Sequence, residues 1–219
     1  MPVAATSPSI LSYEQRLRAN RDWSMDEGDR HFRHDSDVFK AMRKIARRLE
    51  ELGIPYAVAG GMSLDAHGFR RLTIDLNILV SRESLRTIHD RLDGLGYIPP
   101  FAGSKNLRDT EFGVRIEFLV AGEFPEDGKP KPVAFPDPAE VGIDLGGIRF
   151  LNLPTLVELK LASGMTNPGR LKDLGDVQEV IRILDLPDRF ADELNPYVRE
   201  KYRELWRGLQ EPIEGPDRD

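Results

Sequence analysis

Residues 59–80 read AGGMSLDAHGFRRLTIDLNILV, and the order of breaks and apolar runs within them decides the fold. A short apolar run, Tyr56-Ala57-Val58-Ala59, follows Pro55 and stops at Gly60-Gly61, the pattern of a buried strand entering a turn. Met62 to His67 reads as a short helix closed by Gly68. Thr73 to Val80 is the next strand. Strand side chains alternate, so Ile74, Leu76, Ile78 and Val80 share one face, and Asp75, Asn77 and Leu79 share the other.

Outward from this stretch the same reasoning places the neighbours. Ser36 is a natural cap for a helix over 37–52, where Val38, Met42, Ile45, Ala46 and Leu49 recur at helical spacing and Gly53 ends the run. Ser81 caps a second helix over 82–95, and a weak strand follows at Tyr97-Ile98. Val114 to Leu119 is a strand with Val114, Ile116 and Phe118 on one side and Arg115 and Glu117 on the other. Residues 121–147 are rich in Pro and Gly and read mostly as loop. Ile148-Arg149-Phe150 is a last strand, and helices are expected over 154–162, from Gly169 or Arg170 to Leu184, and over 195–209. This order predicts an α+β fold, a small mixed sheet flanked by helices with a helical C-terminal part. The expected organisation is a peripheral N-terminal segment (1–35), a core (36–150), the helical part (151–211) and a tail (212–219).

Composition removes several chemistries. The 219 residues carry 31 Lys and Arg against 37 Asp and Glu, a net charge of −6, which disfavours a broad nucleic-acid surface. The absence of cysteine excludes disulfides, thiolate metal sites and Cys nucleophiles. Apolar runs such as Ile78-Leu79-Val80 are far short of the roughly 20 residues a membrane span needs. The first residues lack a basic start and an apolar stretch, so the expected location is cytoplasmic. Within the charged first 35 residues, Tyr13 to Trp23 suits a short docking helix, and His31 and His34 suit either a metal pair or a solvated polar linker.

The candidate site follows from the same strand–turn–strand order. Glycines let a backbone approach a bulky anion, and a new helix presents free N–H groups, so Gly60, Gly61 and Ser63 have the makings of a phosphate cradle. Asp75 and Asn77 project together from the next strand, and Glu117 can join them from another. Hard Mg²⁺ takes oxygen ligands of this kind together with phosphate and water. The plain alternatives are a turn, a solvated acid, and an ion pair between Glu117 and Arg115. His67 reads best as a helix-end histidine bonded to backbone.

The pattern Gly60-Gly61-x-Ser63, then Asp75-x-Asn77, then Glu117, resembles the nucleotidyltransferase superfamily, the DNA polymerase β-like fold. The stretch 59–80 is similar to its minimal bacterial branch, and the likeness spans roughly residues 38–120. Leu156 to Leu161 followed by Gly169-Arg170-x-Lys172-Asp173-x-x-Asp176 is similar to elements of abortive-infection toxins. The resemblance implies a nucleotidyltransferase core and transfer of a nucleoside monophosphate from a nucleoside triphosphate to a hydroxyl acceptor, which is protein, RNA or a small molecule. It implies Mg²⁺ or Mn²⁺ held by Asp75, Asn77 and Glu117, with Glu117 activating the acceptor. Gly60, Gly61 and Ser63 would hold the triphosphate, with Arg71, Lys160 and Asp173 as further contacts. The family's usual metal pair is Asp-x-Asp or Asp-x-Glu, and Asn77 departs from it with an uncharged amide. That departure keeps a second reading open, a catalytically silent descendant that binds nucleotide or a protein partner in a toxin–antitoxin or defence module.

Overall fold

The computed structural model of the chain describes residues 11–125 and 130–210. Two N-terminal helices, α1 (Tyr13–Ala19) and α2 (Arg21–Phe32), lead into α3 (Asp37–Glu51), which starts where the Ser36 hydroxyl accepts the Phe39 N–H. Strand β1 (Tyr56–Ala59) runs directly into α4 (Gly60–Ala66) and then β2 (Asp75–Val80). Helix α5 (Arg82–Leu92) connects to the short strands β3 (Tyr97–Ile98) and β4 (Leu107–Asp109), then β5 (Arg115–Val120). After α6 (Pro138–Val141), β6 (Gly142–Asp144) and β7 (Arg149–Leu151), the chain is helical: α7 (Leu153–Thr166), α8 (Leu171–Ile183) and α9 (Pro196–Gln210). No helix among the described residues is long and apolar enough to cross a membrane.

The strands form one mixed sheet of seven in the order β3-β4-β5-β2-β1-β7-β6. Its centre is β2, antiparallel to β1 and parallel to β5. The fold class is α+β, as expected. One face carries Val58, Leu76, Ile78, Val80, Ile116 and Phe118, all fully buried, beneath Val38, Ile45 and Leu49 of α3 and Ile88 and Leu92 of α5. The other face carries Ala57, Ala59, Leu79 and Leu151 beneath α7, α8 and α9. Each fully buried Leu or Ile here contributes roughly 1.5–3 kcal/mol relative to exposure.

The second face changes character along β2. Leu79 is covered by the C-terminal helices, whereas Asn77 and Asp75 are only half-buried. The polar residues therefore lie where the sheet emerges from beneath the helices, and a cleft opens there.

Three expectations need correction. Helix 13–23 is broken at Asn20, whose side chain accepts the Trp23 N–H and starts a second helix. The polar linker expected before residue 36 is packed instead: Tyr13, Glu27 and His31 are fully buried. The Glu27 carboxylate accepts the Tyr13 hydroxyl at 3.0 Å and the Asp37 N–H at 2.6 Å, which ties α1 and α2 to α3. His31 is no metal ligand, since its ring nitrogens face the Ser36 hydroxyl and the Arg71 carbonyl. The segment read as loop holds α6 and β6, which completes the sheet edge against β7. The tail expected from residue 212 lies outside the described residues.

Candidate functional site

Beside Asn77 and Glu117 the sheet and the C-terminal helices enclose a cleft of about 700 Å³. Ala59, Gly60, Asn77 and Glu117 line the sheet side, Leu156, Leu159, Lys160 and Ser163 line the α7 side, and Arg170 and Asp173 stand on the α8 side. Lys105, Asn106 and Glu123 add polar groups, while Leu119, Phe124, Phe135 and Leu151 make an apolar portion.

The carboxylates are set by strand register. Asn77 lies directly across from Glu117 on the parallel neighbour, and Asp75 lies across from Arg115. All four side chains therefore share one face. The Arg115 guanidinium stands between the acids, with Nη2 2.9 Å from Glu117 Oε1 and 3.5 Å from Asp75 Oδ2. Thr73 donates its hydroxyl to Asp75 Oδ1 at 3.2 Å. Burial raises the Glu117 carboxyl above the ordinary Glu value; Arg115 opposes the shift and Asp75 reinforces it. Glu117 thus holds a proton to a higher pH than an exposed glutamate. Among the described residues no three His, Cys, Asp or Glu side chains form a group able to hold a metal ion.

The two glycines that start α4 have different neighbours. Gly60 has φ +62, a backbone shape that costs an L side chain strain, and it borders the cleft. Gly61 is buried and faces away from it, against Thr73. Ser63 is fully buried, and its Oγ has no hydrogen-bond partner among the described residues.

The basic residues are engaged. Lys160 lines the cleft at 7% exposure, with Nζ 3.0 Å from Asp173 and 2.7 Å from Asp176. Arg71 lies outside the cleft lining and grips Asp176 through two nitrogens, at 2.9 and 3.0 Å. Asp173 accepts from Lys160, from Ser163 at 2.7 Å and from Arg170 at 2.9 Å. Burial alone would raise the Asp173 carboxyl, but Lys160, Ser163 and Arg170 together pull it below its ordinary value. These ion pairs tie α7 and α8 to each other and to the segment before β2. His67 bonds the Leu151 carbonyl at 2.7 Å, in keeping with its plain reading.

Of the residues expected at the site, Gly60, Asn77, Glu117, Lys160 and Asp173 come together in the lining. Asp75, Gly61, Ser63 and Arg71 stand outside it. Sequence reasoning does not single out Lys105, Asn106 or Ser163. Asn106 accepts the Phe118 N–H at 3.1 Å, a side-chain bond to β5 that no periodicity announces.

No family model and no curated protein matches the chain. Among solved structures it is similar to ANT(2″)-Ia in complex with adenylyl-2″-tobramycin, at 13% identity and TM-score 0.47, covering 78% of this chain and 98% of that one. It is also similar to a candidate nucleotidyltransferase from Thermotoga maritima, at 18% identity and TM-score 0.43, covering 65% and 91%. A solution structure of the antibiotic-resistance factor ANT(2″)-Ia matches at 13% identity and TM-score 0.43, covering 77% and 90%.

Proposed function

We propose that the cleft binds a nucleoside triphosphate and transfers its nucleoside monophosphate to a hydroxyl acceptor, as the resemblance to minimal bacterial nucleotidyltransferases implies. One observation carries the reading. Asp75 and Glu117 converge from adjacent parallel strands, Glu117 in the cleft lining and Asp75 just outside it, and already share a cation, the Arg115 guanidinium. A site that holds one positive charge between two carboxylates has the chemistry to hold a divalent ion. The residues therefore fit Mg²⁺ or Mn²⁺, with Asp75, Glu117 and the Asn77 amide as oxygen donors. Such an ion, when bound, neutralises phosphate charge and activates the phosphorus toward attack.

The chain's own residues supply the rest. Gly60 leaves open the space a side chain would fill beside Asn77. Lys105 and Arg170 border the cleft and add positive charge toward phosphate oxygens. Glu117 takes the acceptor's proton. The acceptor oxygen bonds to the α-phosphorus, the bond from that phosphorus to pyrophosphate breaks, and pyrophosphate leaves.

The second reading, a silent nucleotide- or partner-binding descendant within a toxin–antitoxin or defence module, is favoured by Asn77 alone. Its amide lacks the charge of an acid at that position. Asn77→Asp separates the two. Metal-dependent turnover that appears only in the variant supports the silent reading, and turnover in the natural protein removes it.

The first experiment is thermal unfolding with each nucleoside triphosphate, with and without Mg²⁺ or Mn²⁺, and Asp75→Ala as control. A ligand at about a hundred times its Kd adds roughly 2.7 kcal/mol of stability. A metal-dependent rise in Tm that Asp75→Ala abolishes supports the reading. No shift with any nucleotide overturns it.

A further inference from the structure

We propose that Arg115 is an exchangeable counter-ion, a positioning residue that occupies Asp75 and Glu117 until a divalent cation takes them and then moves onto Glu14. The inference rests on the reading of those two acids as cation ligands.

The geometry gives Arg115 two seats. In the first, Nη2 is 2.9 Å from Glu117 and 3.5 Å from Asp75, one good contact and one loose contact. The second stands ready on the other side. Glu14 Oε1 lies 3.9 Å from Arg115 Nε, and that buried nitrogen has no hydrogen bond among the described residues. A buried donor without a partner carries a free-energy cost that a small rotation toward Glu14 removes. The Arg115 side chain is 40% exposed, so it can turn without repacking the core.

Glu14 is itself held in place. It sits in the first turn of α1, whose start is fixed by a reciprocal cap between Ser12 and Gln15. Arg108 grips its other oxygen at 2.9 Å. Arg108 and Arg115 lie directly across from each other in the β4–β5 register, a pairing of like charges that Glu14 offsets. Three carboxylates thus share two guanidiniums, and α1 becomes part of the site's electrostatics. A divalent ion entering this set must displace Arg115 from the acids, so the free protein holds metal weakly. An arriving triphosphate absorbs the excess positive charge, so metal and nucleotide bind cooperatively.

The test measures Mn²⁺ binding by electron paramagnetic resonance and calorimetry on the full chain, with and without ATP, after circular dichroism melts show each variant folded. Asp75→Asn is the control that ties the signal to this site. Arg115→Gln should bind Mn²⁺ roughly fivefold or more tightly than the natural protein, the lower end of an ordinary coupling between sites. Glu14→Gln removes the second seat but keeps a hydrogen-bond acceptor for Arg108, and it should bind Mn²⁺ more weakly. In Arg115→Gln, ATP should enhance Mn²⁺ affinity less than in the natural protein. Equal Mn²⁺ affinities in the natural protein and Arg115→Gln overturn the exchange while leaving the acids as metal ligands. Mn²⁺ binding in none of the folded proteins, even with ATP, overturns both.

Discussion

Gly60 and Asn77 meet at the floor of the cleft: a β-carbon on Gly60 would lie 2.9 Å from the Asn77 amide nitrogen. The contact couples the start of α4 to the second polar residue of β2. Gly60→Ala adds this clash to the strain of φ +62, roughly 1–2 kcal/mol for an L residue in that region. Asn77→Ala removes the clash and leaves the strain. A double-mutant cycle by urea unfolding should therefore show coupling between the two positions of about 0.5 kcal/mol or more. Additive losses would mean that Asn77 swings clear at no cost.

The second glycine acts one step further from the cleft. A β-carbon on Gly61 would lie 2.7 Å from the Thr73 hydroxyl and 2.8 Å from its β-carbon. Thr73 in turn donates to Asp75. Gly61→Ala should cost about 1–3 kcal/mol, the usual range for overpacking. It should also weaken nucleotide-dependent stabilisation, because the hydrogen bond that orients Asp75 moves with Thr73. A variant that loses stability but keeps the full nucleotide-induced Tm rise would show that Asp75 does not depend on Thr73.

These contacts also mark what the sequence makes legible. Alternation along 73–80 and 114–119 is enough to put Asp75, Asn77 and Glu117 on one face, because the opposite face is continuously apolar. Helix α3 and the C-terminal helices follow from caps and spacing in the same way, while the strand limits shift by one or two residues: β2 starts at Asp75, not Thr73, and β5 and β7 each start one residue later than read. What periodicity cannot reach is pairing between distant segments. Glu14 and Arg115 are 101 positions apart in sequence, and only the docking of α1 through buried Tyr13 and Glu27 brings them near. Strands of three residues, such as β4 and β6, are too short to show alternation, which is why Asn106 and the 142–144 edge are invisible beforehand. Lys160 illustrates the same limit. Nothing in its own helix announces that two aspartates from α8 hold it in the interior.

Removing that buried cation should be severe. Lys160→Met leaves Asp173 with Ser163 and Arg170, and Asp176 with Arg71. Breaking a buried pair in this way costs about 3–5 kcal/mol. The pH dependence follows in sign. The folded Asp173 pKa lies below its ordinary 3.8, so its stabilising contribution is present above that value and is lost as pH falls through the folded pKa. In Lys160→Met the acid loss should begin at higher pH, as seen in denaturant midpoints between pH 3 and pH 7. An unchanged acid profile would show that Lys160 is not what holds Asp173 ionised.

Glu117 gives the corresponding prediction for activity. Its raised pKa means that the base form is lost at a higher pH than for an ordinary glutamate at 4.5. In the metal-free protein the Glu117 carboxyl should therefore titrate above that value, as carboxyl NMR of the full chain checks. Glu117→Gln should lower kcat by about 10²–10⁴, the usual contribution of a positioned base. A Glu117 signal, identified by its loss in Glu117→Gln, that titrates at or below 4.5 would overturn the shift.

His31 offers a test of the N-terminal docking that is independent of the cleft. The ring lies 3.1 Å from the Arg71 carbonyl through Nε2, which must donate, and 3.2 Å from the Ser36 hydroxyl through Nδ1, which then accepts. The neutral ring satisfies both bonds. Burial lowers its pKa below the ordinary 6.5, the Arg71 carbonyl and Asp65 oppose the shift, and His34 and Arg71 add to it. The unfolded chain therefore binds this proton before the folded one does. Stability should be full above about pH 6.5 and fall as pH drops toward the folded pKa. His31→Gln can still donate to the Arg71 carbonyl but cannot titrate. It should lose roughly 1–3 kcal/mol at pH 7.5, for the buried ring and its second bond, and lose less than the natural protein between pH 7.5 and pH 5.5. Parallel losses in the two proteins would place the pH sensitivity on another residue.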